Sequence, residues 1–194
     1  MDSEWINMRT LIVYGTRYGA TEGNAEEIAK VLRANSFDVK VVDAKKEKIK
    51  DISDFELVIV GSGMRMFRWV KEPENFIKKF QKELQQKHIA IFVSSGAQLL
   101  HEFDGEQQAM DDAWQKYLVE KAMKYNLEPI SMAIFGGVWD YDKMGFFFKR
   151  TMEPMKAKLI EAGFTESSPG VYDSRNLDEI REWTTDLIQK LKSK

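Results

Sequence analysis

The sequence predicts one doubly wound α/β domain, a mostly parallel sheet with helices on both faces. Short apolar runs alternate with stretches whose apolar residues recur at helical spacing. Several of those runs, among them TLIVYG (10–15) and LVIVG (57–61), lack period-two alternation, as strands buried on both faces do. At 194 residues, 43% hydrophobic and 31% charged, the chain suits one sizeable core.

The elements follow in order. TLIVYG (10–15) is the first strand. From Thr21, residues Ala25, Ile28, Ala29 and Leu32 mark a helix, with Thr21 as its cap and Glu22 in the positive first turn. Residues 39–43 are the second strand and LVIVG (57–61) the third. Pro73 opens a helix whose one face holds Phe76, Ile77, Phe80 and Leu84. IAIFV (89–93) is the fourth strand, 107–125 a helix with Met110, Trp114, Tyr117 and Leu118 inward, and 129–135 the fifth strand. Residues 144–162 read as a helix ended by Gly163. After a less regular stretch, a last helix carries Ile180, Trp183, Leu187 and Leu191 on its inner face. The expected division is an extension over 1–8 and one domain over 9–194.

Composition excludes several chemistries. The formal net charge of -2 favours neither nucleic acid nor an anionic membrane as partner. Charge clusters locally, basic at Lys45, Lys46, Lys48 and Lys50 and acidic at Glu102, Asp104, Glu106, Asp111 and Asp112, as solvated faces also do. Without cysteine there is no disulfide, cysteine-ligated cluster or thiol nucleophile. His88 and His101 are too few and too far apart in sequence to suggest a zinc or copper site. Redox chemistry would therefore need an organic cofactor. The start of the chain lacks the pattern of a secretory signal, and no window reaches the ~20 apolar residues of a membrane span, so the expected location is cytoplasmic.

In doubly wound sheets ligands bind beyond the carboxyl ends of the strands, where strand order reverses. The loop after the first strand, Thr16-Arg17-Tyr18-Gly19-Ala20-Thr21, is rich in small residues and enters a helix. Such a loop gathers backbone N–H groups into an anion-binding concavity, and Thr16 and Thr21 can add hydroxyl donors. It matches neither the nucleoside-triphosphatase nor the dinucleotide glycine pattern, so it suits a single monophosphate or is a plain capping turn.

IVYGTRYGAT (12–21) resembles the phosphate loop of flavodoxins, which holds the phosphate of FMN. Arg17, Tyr18 and Ala20 stand where many flavodoxins have further Ser, Thr or Asn. GTRYGAT is similar to the loop of menaquinone-dependent protoporphyrinogen oxidases, flavodoxin-fold enzymes of bacterial haem synthesis. GSGMR (61–65), FGGVWDYDKMGFFFKR (135–150) and YDSRNLDEIREW (172–183) resemble that family's later segments, so the likeness runs from Arg9 onward. It implies a flavodoxin-like five-stranded parallel sheet in the order 2-1-3-4-5 and FMN as cofactor. It also implies electron transfer to a quinone or redox-protein acceptor, a porphyrinogen as candidate substrate, and peripheral contact with the inner face of the membrane. Where that family often carries a basic insertion after the fourth strand, residues 95–112 here are acidic.

With FMN as the implied ligand, each loop acquires candidates. Thr16, Arg17, Tyr18, Gly19, Ala20 and Thr21 would hold the phosphate. Ser62, Gly63, Met64, Arg65 and Met66 would flank the isoalloxazine, with a peptide near Gly63 reorienting on reduction. Phe67 and Trp69 either join that wall or pack on the next helix. Ser94, Ser95, Gly96, Ala97 and Gln98 would meet the pyrimidine edge. Gly137, Trp139 and Tyr141 would close the site, although Trp139 and Tyr141 read equally as buried packing. Arg17, Arg65 and Arg68 would form a cationic rim suited to anionic partners. Phe146, Phe147 and Phe148 read as core or as a membrane anchor. The flavin carries the chemistry, and no residue is assigned as acid–base catalyst. Three functions fit: an oxidoreductase, a soluble electron carrier, and a flavin-free partner-binding domain.

Overall fold

The first strand, β1 (Arg9–Gly15), lies at the centre of a parallel sheet, flanked by β2 (Asp38–Asp43) and β3 (Leu57–Arg65). The two-residue β4 (Arg68–Trp69) folds back antiparallel on the end of β3. Beyond β3 lie β5 (His88–Ser94) and β6 (Ser131–Phe135), giving the order β2-β1-β3-β5-β6. The five parallel strands thus follow the expected flavodoxin-like order. The computed structural model describes residues 7–65, 68–95, 107–141, 143, 149–150, 154, 156–157 and 166–193.

Alternate residues of a strand face opposite sides of the sheet, so an all-apolar strand needs cover on both. Leu11, Val13, Val58, Val60, Ile91 and Val93 enter one core, with α2 (Lys71–Lys79), α3 (Gln81–Leu84) and α4 (107–124) packed on it. Ile12, Tyr14, Leu57, Ile59 and Phe92 enter the other, under α1 (Ala20–Ala34) and α5 (Leu177–Lys192). Each such side chain contributes roughly 1.5–3 kcal/mol by burial. Asn176 caps α5, its side chain accepting from the Asp178 and Glu179 amides.

Several expectations need correction. Thr21 does not cap α1: Gly19 holds that position with φ 93, and Thr21 is buried within the first turn. Helix α4 comprises Gln107–Trp114, a π-helical turn Gln115–Val119, and Glu120–Lys124. The extra residue of the π-turn shifts the helical phase, so Tyr117 and Leu118 are buried while Trp114 is 39% exposed. The helix expected to begin at Pro73 begins at Lys71 and breaks at Phe80, though Phe76, Ile77, Phe80 and Leu84 are all buried as expected.

The third strand runs on through Ser62 and Gly63, in register with Gly15 and Ser94, rather than opening into a loop at Gly61. Glycine is required at 61, where a Cβ would come within 2.2 Å of the Phe92 ring. The irregular stretch near the C-terminus contributes to a second antiparallel sheet of β7 (Val138–Asp140), β8 (Glu166–Ser168) and β9 (Val171–Asp173), ordered β7-β9-β8. Met8, counted with the extension, is buried, and the Asn7 amide donates to the Ser36 carbonyl. Phe146, Phe147, Phe148 and most of the helix expected over 144–162 lie outside the described residues. No helix among the described residues is long and apolar enough to cross a membrane.

Candidate functional site

The carboxyl ends of β1, β3, β5 and β6 lie where strand order reverses, and residues 16–21, 62–65, 94–95 and 137 of the expected set end or follow those strands. Gly15 ends β1 under Val70 and Pro73, where a Cβ would lie 2.6 Å from Pro73 Cδ, so the backbone passes close by. Thr16 Oγ1 then accepts from the Gly19 amide at 3.0 Å, and the left-handed Gly19 turns the chain into α1. The first-turn amides that follow have no intrahelical acceptor, and the positive end of a 15-residue helix stands behind them. Ala20 is buried at the turn.

Gly63 forms the floor of this loop. A Cβ on it would lie 3.1 Å from Thr21 Oγ1 and 3.4 Å from the Gly15 carbonyl. Thr21 Oγ1 is buried without a hydrogen-bond partner. Buried hydroxyls are nearly always bonded, so an orphan beside free helix amides marks the place of an absent acceptor. The donor set suits a phosphate.

Arg17 is exposed above the loop, its guanidinium 5.5 Å from the Tyr18 ring centre and Nε donating to the Tyr18 hydroxyl at 3.2 Å. It makes no ion pair among the described residues. Tyr14 donates to Glu22 Oε1 at 2.9 Å, and burial together with that carboxylate pushes its hydroxyl pKa well up. Lys46 lies 3.7 Å from the same carboxylate.

The second wall is the β3–β4 hairpin. The Val70 amide donates to both the Gly63 carbonyl and Ser62 Oγ, each at 3.2 Å, and Ser62 Oγ donates to the Gly63 carbonyl at 2.9 Å. Ser62 is fully buried, so its hydroxyl holds the hairpin rather than facing a ligand. Reorientation of the Gly63–Met64 peptide would have to break both bonds to that carbonyl. Met64 is half-buried opposite Trp69, and Arg65 pairs with Arg68, which is exposed. Met66 and Phe67 lie outside the described residues.

At the end of β5, Ser94 Oγ accepts from Asn24 Nδ2 at 2.9 Å, and Asn24 Nδ2 also reaches the Gly136 carbonyl at 3.3 Å. Ser95 is buried, with its amide on the Phe135 carbonyl, and a Cβ on Gly137 would lie 3.6 Å from the Ser95 carbonyl. Gly96, Ala97 and Gln98 lie outside the described residues. Gly137 is paired through both its amide and its carbonyl with Ser174. Trp139 sits on β7 opposite Tyr172. Tyr141 is buried edge-on against Tyr172, ring centres 5.8 Å apart, which commits its ring to the second sheet.

Three residues beyond the expected set shape the site. Asn24 ties α1 to the ends of β5 and β6; its sequence signal was a polar residue among the apolar positions of a buried helix face. Burial alone would raise the Asp173 carboxyl, but hydrogen bonds from Arg175 hold it below the usual carboxylate range. That forked pair, with Nη2 at 2.6 Å from Oδ2, lays the guanidinium on α1, where a Cβ at Gly23 would come within 2.0 Å of Nη1.

A comparison with protein families matches the flavodoxin domain over residues 11–168. The chain belongs to the flavodoxin domain family. Membership implies a flavin as cofactor. No curated protein matches in sequence. Among solved structures, a flavodoxin from the domain Archaea is 18% identical at a TM-score of 0.54, covering 95% of this chain and 99% of that one. The two-electron reduced flavodoxin of Megasphaera elsdenii is 23% identical, with a TM-score of 0.49 over 79% of this chain and 96% of its own. Rubredoxin oxygen:oxidoreductase from Desulfovibrio gigas is 17% identical, with a TM-score of 0.49 over 96% of this chain and 37% of its own. The archaeal likeness is one of fold.

Proposed function

We propose that the chain is an FMN-dependent oxidoreductase of the menaquinone-dependent protoporphyrinogen oxidase-like branch, passing electrons to a quinone or a redox-protein acceptor. The observation that carries FMN is the buried, unpartnered Thr21 hydroxyl beside the first turn of α1. Thr16, Gly19, Ala20 and Thr21 hold the phosphate, and the β3–β4 hairpin and the ends of β5 and β6 flank the ring. Bound flavin supplies hydride or single-electron transfer, and the chain supplies position, exclusion of water and charge. The branch rests on the sequence around Arg17, supported by the exposure of Arg17 and Arg68, neither of which forms an ion pair among the described residues. Such cations suit an anionic reaction partner such as a porphyrinogen carboxylate.

The test has two stages. Purified protein should bind FMN with a yellow flavin spectrum, and failure to do so removes the proposal. Anaerobic protoporphyrinogen should then bleach the flavin and menaquinone should restore it with turnover. Reduction only by a protein donor assigns a soluble electron carrier instead.

A further inference from the structure

The π-helical turn in α4 has no counterpart in the apolar pattern of the sequence, and such turns cost hydrogen-bond geometry that a plain α-helix keeps. At this turn, Gln115–Val119, the Tyr117 carbonyl accepts from Trp69 Nε1 at 2.9 Å in a buried bond. Trp69 is 5% exposed and pairs with Met64 across the β3–β4 hairpin. On the other side, Lys121 Nζ stands 5.4 Å from the centre of the Trp69 ring. Glu74 Oε1 holds that ammonium at 2.9 Å and is itself held by Lys124 and Tyr125. The hairpin is therefore fastened at its base by Ser62 and Val70, and along β4 by one indole reaching into α4.

We propose that Trp69 is a positioning residue: its bond to the π-turn carbonyl of α4 fixes the β3–β4 hairpin as the wall for the ring of the bound flavin. The indole has a structural task that packing alone does not require. A phenylalanine fills much of the same space, but it cannot reach the Tyr117 carbonyl with a donor. The π-turn and the tryptophan thus explain each other: the wider turn stands where a buried N–H needs an acceptor. Lys121 adds a cation on the ring, and Glu74 keeps it there. The functional half of the proposal rests on flavin binding as proposed above; the positioning half concerns the chain alone.

The experiment compares wild type with W69F by hydrogen exchange in the cofactor-free protein and by titration with FMN and with inorganic phosphate. Loss of one buried hydrogen bond should speed exchange at the Val70 amide and its hairpin neighbours about tenfold, leaving β1 and β5 unchanged. FMN should bind about tenfold more weakly, while inorganic phosphate binds as in wild type. Unchanged hairpin exchange, or equal acceleration in β1 and β5, overturns the positioning role. Unchanged FMN affinity with a loosened hairpin overturns the wall. If wild type binds no FMN, the flavin reading fails while the exchange result still decides the positioning role. Should W69F not fold, exchange of the Trp69 indole N–H in wild type takes its place: protection matching that of the Val70 amide is expected, and rapid exchange of the indole proton refutes the fastening.

Discussion

Replacing Thr21 with valine should move two properties in opposite directions. Thr21 is 1% exposed and its hydroxyl has no hydrogen-bond partner, with the Gly63 backbone close beneath it. Leaving such a group unpaired costs roughly 1–3 kcal/mol. T21V keeps the β-branched shape and removes that cost, so the cofactor-free protein should gain about 1 kcal/mol in urea unfolding. With a phosphate bound, the same hydroxyl donates a charge-assisted bond worth roughly 1.5–3 kcal/mol. The variant should therefore bind FMN about 10- to 100-fold more weakly. Riboflavin, which lacks the phosphate, is the internal control and should bind both proteins equally. A less stable cofactor-free T21V, or an FMN affinity equal to wild type, would refute the assignment of Thr21 to the phosphate.

Other outcomes follow from packing and charge. G61A places a methyl group 2.2 Å from the Phe92 ring and should cost about 1–3 kcal/mol, read as a lower urea midpoint at unchanged slope. Burial would raise the Glu74 carboxyl, but bonds from Lys121, Lys124 and Tyr125 hold it at about 2 against an ordinary 4.5. A depressed carboxyl stabilises fully above its unfolded value, so this contribution, at most about 3 kcal/mol, should fade as pH falls from about 4.5 to about 2. E74Q should flatten that part of the stability profile, and an unaltered slope would contradict the linkage. R17A should leave stability within about 0.5 kcal/mol while weakening FMN binding several-fold at low salt and less at high salt. Salt-independent loss would place Arg17 in the packing instead.

The sheet was legible because β1, β3 and β5 are apolar on both faces, a pattern that leaves them nowhere to sit but between two helical layers. The tight loop entering α1 was legible because small residues and a helix start are local signals. The hairpin was harder to see. Gly61, Ser62 and Gly63 suggest a turn, yet they continue a strand because the Phe92 ring and the phosphate loop need the space of absent side chains. Trp114 was misplaced because helical periodicity assumes constant phase, which the π-turn breaks. The second sheet is built of strands only three residues long, too short for alternation to register. Asn24, Ser174 and Arg175 act through partners far away in sequence, and spacing along the chain carries no trace of such pairs.

The fit of Arg175 onto Gly23, and of the Ser174 carbonyl against Gly136, bears on how the protein comes to be finished. During synthesis the phosphate loop and α1 emerge first, but α1 then lacks its clamp and its cover by Ile180, Leu187 and Leu191. The earliest segment made must wait for one of the last before it can set. A nascent chain that has reached only β6 holds the whole loop proposed for the phosphate and still lacks the packing that steadies α1 behind it. On the proposed reading, a chain that fails to dock its final helix should hold FMN poorly, however complete the loop before α1.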